Sequence, residues 1–457
     1  MPANNRFQIR NKLFATLSVS LILLCVLITL KGQTHSEAHA TLEGTRSYLP
    51  MVNRYYPTWG STGILDPSFG DDGIVISNFT DFNDEAQAVV LQEDGKIIAA
   101  GGIAGELSVA RYNTDGSLDL SFSEDGVTSV GFGDDVYASA VALQLDGKIV
   151  VGGYGYGNFI LARFHPNGSL DTSFGGDGKV ATNFLENDGI NALAIQLDGK
   201  IIALGYAFNN IDVSTSDFTL ARYNPDGSLD LSFDGDGKLT TDFFGLFDYA
   251  TDIVLQPDGK ILVTGHVGDI TKTNIGVVRY NSNGSLDVSF DGDGKAITGF
   301  VYGAAGEAIE LQADGKIVVA GRASNSRSSD VATVRYNANG SLDTDFGDDG
   351  LAITVFLGGS SIGYDLDIQP DGKIVVVGTA SFTNFETLMT DDDFALVRYN
   401  ADGSPDLGFG DEGKVTTNIN QVEYGIGTVL QSDGKIVVVG FTKSDTGYTD
   451  SVVLRYK

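Results

Sequence analysis

Four carboxylates recur at one place in a repeated string. Eight residues before each of Gln92, Gln144, Gln196, Gln256, Gln312, Gln369 and Gln431 stand Asp84, Val136, Asp188, Asp248, Ala304, Ser361 and Glu423. Carboxylates are hard oxygen donors, and a hard cation such as Ca2+ needs several of them converging. Acids held close repel one another, and a bound cation relieves that repulsion. Asp84, Asp188, Asp248 and Glu423 are therefore the predicted metal ligands, provided the fold gathers their segments round one axis. Two residues further on the position is small in six strings, Ala86, Ala138, Ala250, Gly306, Gly363 and Gly425, with Ile190 the exception. Small side chains suit a crowded axis.

Other motifs carry less. Gly359-Ser360-Ser361-Ile362-Gly363 matches the G-x-S-x-G nucleophile elbow, which needs a strand-to-helix turn and a histidine partner. No helical period follows it, so a chance match is the reading. Beyond His35 and His39 near the N-terminus, the chain has only His165 and His266. Two isolated histidines support neither a transition-metal site nor a nucleophile–base pair. Asp234-Gly235-Asp236-Gly237 and Asn224-Pro225-Asp226-Gly227 begin like calcium loops. Neither is closed by a glutamate at the required spacing, and Asx-Gly turns account for both. No catalytic or cofactor-binding residue is assigned.

The elements that position these residues repeat. Asp-Gly-Lys occurs with its glycine at 95, 147, 199, 259, 315, 372 and 434. Arg before Tyr or Phe occurs at 111, 163, 222, 279, 335, 398 and 455. Asp with Phe three residues on begins at 66, 119, 171, 230, 287, 343 and 406. Three marks each count seven, and a fixed period is the signature of a repeat architecture. In residues 250–295, ATDIVLQ, KILVTG, IGVVRY and SLDVSF read as four strands parted by Gly-bearing turns. Four short strands per unit, without helical period, predict an all-β, seven-bladed β-propeller over 64–457. The chain begins with a spare fourth strand at 64–69 and ends with a third strand at 452–456, so pairing these closes the ring. The seven Arg and seven Asp marks are the same in every unit and are read as structural pairs.

From each turn Lys to the next marked Arg the distance is 15, 15, 22, 19, 19, 25 and 20 residues. From each Arg to the next Lys it is 37 or 38. Variation is thus confined to the loop between the second and third strands, which shares a face with the blade connections. Insertions on one face of a repeat scaffold mark a binding face.

The string LDxSFGxDGKVxTxF…LQxDGKIVVxG…FxLxRYNxDGS resembles the delta-60 repeat family of bacterial exported proteins, across all seven units of 64–457. The resemblance implies export and a repeated β unit, and no established activity. The turn pattern is more weakly similar to NHL-type propeller repeats.

Net charge is −31, from 29 basic and 60 acidic residues. Nucleic acid and anionic membrane surfaces are repelled by that field. Cys25 is the sole cysteine, so disulfides and Cys-based metal sites are excluded. Arg6, Arg10 and Lys12 precede the apolar stretch Leu13 to Leu30, and Ala38-His39-Ala40 follows. Residues 1–33 read as a cleaved signal peptide or an uncleaved membrane anchor, and 34–63 as a linker. Either way the repeats face outward, giving a secreted or cell-surface protein, expected to be monomeric. Its first functional reading is a binding or scaffold module for a protein or glycan, contacted through the variable loops. The second is a metal-assisted, lactonase-like hydrolase or lyase using the acidic rim.

Fusing residues 1–45 to a reporter is expected to place it outside the cytoplasm. Retention of the reporter inside would remove the export reading.

Overall fold

A computed structural model describes residues 63–457, apart from 134–135, 156, 210–211, 244–246, 270, 357–358, 385–388, 421 and 445–446. The predicted signal or anchor, Cys25 and all but Gly63 of the linker lie outside the described residues. Among those described there are strands and no helix, and so no helix long and apolar enough to cross a membrane.

The local chemistry of one unit sets its strands. In the fourth blade these are Phe247–Leu255, Ile261–Asp269, Lys272–Tyr280 and Lys295–Thr298. The run 261–264, β-branched at Ile261, Val263 and Thr264, pairs antiparallel with the strand before it. Pro257-Asp258-Gly259-Lys260 makes the turn between them. Gly259 donates to the Gln256 carbonyl at 2.9 Å and sits at φ +84°, where a Cβ is strained. Seven such antiparallel units follow one another, with inner strands starting at Asp84, Tyr137, Asn187, Phe247, Ala304, Ser361 and Glu423. The last unit takes its fourth strand from the start of the fold, where Ile74–Ser77 pairs with residues 451–454.

The structure moves that fourth strand from its predicted place. The predicted strand 64–69 makes only a single bridge, Leu65 to Tyr456, and SLDVSF at 285–290 likewise makes one, Leu286 to Tyr280. The reason is a turn. Asp66 Oδ1 accepts the Ser68 amide at 3.1 Å and the Ser68 hydroxyl at 2.8 Å, which curls the chain out of extended form. The true outer strands lie a few residues later.

The apolar cores lie between successive units. Ile98, Val109 and Phe122 pack with Val136, Ile149 and Ile160 of the second unit. Phe69, Ile97 and Ala99 pack with Val437, Val439 and Val453 of the seventh. Each marked arginine binds this arrangement. Arg111 Nε donates to Asp119 Oδ2 at 2.7 Å, its guanidinium lies 4.6 Å from the Phe122 ring centre, and NH1 donates to the Pro166 carbonyl of the next unit at 2.6 Å. Arg455 repeats the set with Asp66 at 3.0 Å, Phe69 at 4.5 Å and the Thr114 carbonyl at 2.5 Å. The marks are structural, as expected.

Removing residues 60–70 takes Asp66 and Phe69 from Arg455 and leaves a buried guanidinium unpaired. Loss of one partner of such a pair costs roughly 3 kcal/mol or more. The truncated protein is expected to melt well below the full chain; an unchanged Tm would show that the pairing carries no stability.

Candidate functional site

Among the described residues, no three of the four predicted carboxylates come together at one point. Asp84, Asp188, Asp248 and Glu423 are all fully buried, and each folds back onto the connection leading into its own unit. Asp84 accepts the amides of Phe79 at 2.6 Å and Thr80 at 2.9 Å. Asp188 accepts that of Phe184 at 2.6 Å, and Asp248 that of Phe243 at 2.7 Å. Glu423 accepts the Asn420 amide. Among the described residues, the acids that come together in threes join one unit to the next. Asp248 meets Asp217 and Asp242, and Glu423 meets Asp391 and Asp393. The correction is one of facing: alternate residues of a strand point to opposite faces, so a small offset moves a side chain from axis to interface. Burial and nearby acids push the Asp248 carboxyl up to about 6. Asp188 is also raised by burial.

The residues that reach the axis are set by a repeated β-bulge. In all seven units the inner strand slips register against the second strand. The slip lies between Ala86 and Ala88, Ala138 and Ala140, Ile190 and Ala192, and at the equivalent place in the other four. A bulge re-aims the extra side chain. Those extra residues, Gln87, Ser139, Asn191, Thr251, Glu307, Tyr364 and Ile426, all line one central cavity of about 260 Å³. Opposite each bulge stands a glycine. At Gly153 a Cβ would collide with the Tyr137 carbonyl, and at Gly265 with that of Tyr249. The backbones approach too closely for any other residue, which explains the glycine closing each second-strand motif.

Unlike the arginine marks, this ring differs at every position. Glu307 Oε1 stands 3.1 Å from His266 Nε2 and 3.9 Å from Arg322 NH1. Asn191 donates to the Ala250 carbonyl at 2.6 Å and accepts from the Tyr249 hydroxyl at 3.3 Å. Around these runs a row of aromatics. Tyr137 stacks on Tyr154 at 5.5 Å, and Tyr206 on Phe208 at 5.3 Å and on Tyr249 at 4.9 Å. Tyr249 also faces Phe247 at 5.9 Å and His266 at 5.8 Å. Tyr206 lies across Gly189, where a Cβ would stand 2.6 Å from its hydroxyl. Burial pushes the phenols of Tyr206 and Tyr364 up to about 12, so both remain neutral donors.

Along the cavity wall two aspartates tie inner strands together. Asp252 accepts the amides of Ile253 and, in the next unit, Ile309, both at 2.8 Å. Asp365 accepts those of Leu366 at 2.8 Å and Thr428 at 2.7 Å. Desolvation raises Asp252 to about 6 and also raises Asp365 well above the usual carboxylate range, the second helped by the charge of Asp252. Glu310 is raised by burial to about 7.

The remaining motifs are structural. Ser361 is buried, and its hydroxyl accepts the Val331 amide of the neighbouring unit at 3.2 Å, so no nucleophile elbow exists. In Asn224-Pro225-Asp226-Gly227, Asp226 bonds the Ser228 amide at 3.0 Å and hydroxyl at 2.6 Å, as an Asx turn does.

The model of the family described as a domain of unknown function (DUF5122) β-propeller matches residues 92–122, 144–174, 196–233, 256–290, 312–346, 369–409 and 431–457. The chain belongs to this β-propeller family. No curated protein matches it. Among solved structures it is similar to a protein of unknown function from Dyadobacter fermentans, at 12% identity and TM-score 0.46, over 86% of this chain and 100% of that one. It is also similar to a catalytically inactive virginiamycin B lyase from Staphylococcus aureus with quinupristin, at 11% identity and TM-score 0.49, over 83% and 99%. A PL25 ulvan lyase matches at 12% identity and TM-score 0.46, over 88% and 95%.

The raised carboxyls give the pH dependence a definite sign. Asp252, Asp365 and Glu310 hold protons more tightly folded than unfolded. Their stabilisation is complete below about pH 4 and is lost as pH rises through about 6 to 7. Asp171, lowered to about 2 despite its burial by hydrogen bonds from Ser173 and the charge of Arg163, acts oppositely and weakens the fold only in stronger acid. Tm is expected to rise as pH falls from about 8 to about 5, and Asp252→Asn with Asp365→Asn should flatten that rise. Melting curves across this range check it.

Proposed function

We propose that this propeller is an extracytoplasmic binding module whose ligand is a glycan without net negative charge, held at the channel mouth. The ring of inner strands is proposed to close through the pairing of residues 74–77 with 451–454. The observation that carries the reading is the aromatic row Phe208, Tyr206, Tyr249 and His266 beside Asn191 and Glu307. Aromatic faces with a few convergent polar groups are the usual make-up of a small-ligand site. The excess of acid disfavours anionic sugars. The variable hairpins share this face, since Gly105 at one hairpin tip accepts the Val136 amide from the connection to the next unit at 3.0 Å. Export, which the delta-60 resemblance supports, would put that face outside the cell.

One observation favours a second reading. His266 lies beside Glu307, with Arg322 and Tyr249 close by. The two stand at ion-pair distance without a hydrogen bond, and a small rotation would pair them for general acid–base work, as a hydrolase or lyase acting at the same mouth would need.

A panel of neutral oligosaccharides tested by calorimetry separates the readings. Tyr206→Ala and Tyr249→Ala are each expected to weaken binding about tenfold, roughly 1.4 kcal/mol, while Leu197→Ala, exposed on a turn, leaves it unchanged. Equal affinity of the tyrosine variants would sink the mouth as the site. Products formed by the parent protein and not by His266→Ala would establish the enzyme instead.

A further inference from the structure

The two longest hairpin insertions build a second kind of site. The third strands of the third and sixth units, Asp212–Tyr223 and Met389–Tyr399, have 12 and 11 residues. Each reaches the head of the next unit's inner strand in parallel, Ser216 pairing with Phe247 and Asp392 bridging to Val422, the residue before that strand. These bridges set acids of the long strand beside the acid that heads the next inner strand. One oxygen each from Asp217, Asp242 and Asp248 lie within 4.8 Å of one another, and so do one each from Asp391, Asp393 and Glu423.

The clusters are alike in plan and differ in how their charge is met. In the first, Asp248 places Oδ2 on the Phe243 amide at 2.7 Å and Oδ1 on that of Gly268 at 3.3 Å. Lys295 also comes in, donating to the Asp242 carbonyl at 2.5 Å, and its charge partly offsets the burial and the Asp242 charge that raise the Asp217 carboxyl. In the second, Ile74 opens the outer strand where Lys295 opens its own. Glu423, one methylene longer than aspartate, accepts both the Asn420 amide and the Thr442 hydroxyl on Oε1. Its Oε2 is buried without a hydrogen bond, a costly arrangement unless a ligand meets it. The Asn418 amide lies against Asp391 at 3.2 Å and Asp393 at 2.8 Å. A half-turn of that amide presents its oxygen instead.

We infer that Asp391, Asp393 and Glu423, with Asn418, form a binding site for a divalent, oxygen-preferring cation of the calcium class between the sixth and seventh units. The donors are all oxygens, and the site includes neither histidine nor cysteine, which selects hard ions over zinc or copper. The ligands come from three separate segments, an irregular set that Ca2+ tolerates better than Mg2+ does. Bound there, the ion ties the long hairpin of the sixth unit to the head of the seventh. The site shares no residue with the aromatic row and does not depend on the glycan reading.

The test uses the full chain, stripped with chelator and then given Ca2+ alone. Tm is expected to rise with the logarithm of Ca2+ concentration, and Tb3+ should bind with tyrosine-sensitised emission that Ca2+ displaces. Glu423→Gln and Asp391→Asn should each abolish both effects, and Asp217→Asn, in the other cluster, should abolish neither. Should Glu423→Gln fail to fold, Asp391→Asn, whose side chain is partly exposed, decides alone. A parent protein indifferent to millimolar Ca2+ and dark with Tb3+ overturns the inference. So does a response that survives Asp391→Asn, or one that disappears with Asp217→Asn.

Discussion

A buried arginine holds each unit to the next, and the rest of the structure hangs on it. Its cost is plain: a charge with 4 to 7% of its surface exposed must be matched on every side. Arg279 shows how. Nε meets Asp287 at 2.8 Å, NH2 meets Ser289 at 3.1 Å, NH1 meets the Ala338 carbonyl of the following unit at 2.5 Å, and Phe290 covers the flat face at 4.7 Å. The aspartate is steadied in turn by Lys260 at 3.3 Å. All three sequence marks, the lysine of the turn, the arginine and the Asp–Phe pair, therefore meet at one point. That convergence is why they recur together and why none of them is free to serve a ligand.

The tyrosine after the arginine obeys the same discipline. Tyr280 bonds Thr241 of the preceding unit at 2.8 Å, and Tyr336 bonds Thr298 at 2.6 Å. In the second unit the tyrosine is Phe164, and the residue at the partner position is Val130. Hydroxyl and partner are absent together, so no buried polar group is orphaned there. Sequence differences inside the frame are matched across units, whereas those at the bulge ring are not, and this contrast separates scaffold from site.

Repeat number, turns, the first three strands of each unit and the confinement of insertions to one loop were legible in the sequence, because each rests on short-range chemistry that recurs. The outer strands were not. Asp66 and Ser68 sit in an apolar-looking string, and only the side chain's bond to the backbone shows that it turns. The axis was misplaced for a related reason. Asp84 and Glu423 head the inner strands, which suggests the channel rim, but the bulge hands the axis to Gln87 and Ile426, three positions on. A glycine conserved in every unit opposite that point was the available signal. The acidic clusters needed a bridge from one unit to the next, such as Asp392 to Val422, which no local pattern contains.

The pairing of Ile74 with Leu454 sets an order in time as well as in space. Strand Ile74–Ser77 leaves the ribosome first among the described strands, and its partner leaves last. Asp66 must wait through 389 residues for Arg455. The six intervening units can each form from near neighbours, so most of the molecule is able to assemble progressively. The seventh sheet cannot, because it is made from both ends of the fold. Until Thr449–Tyr456 emerges, the nascent chain carries an unpaired leading strand, and that segment decides whether the strand finds its own chain or another copy.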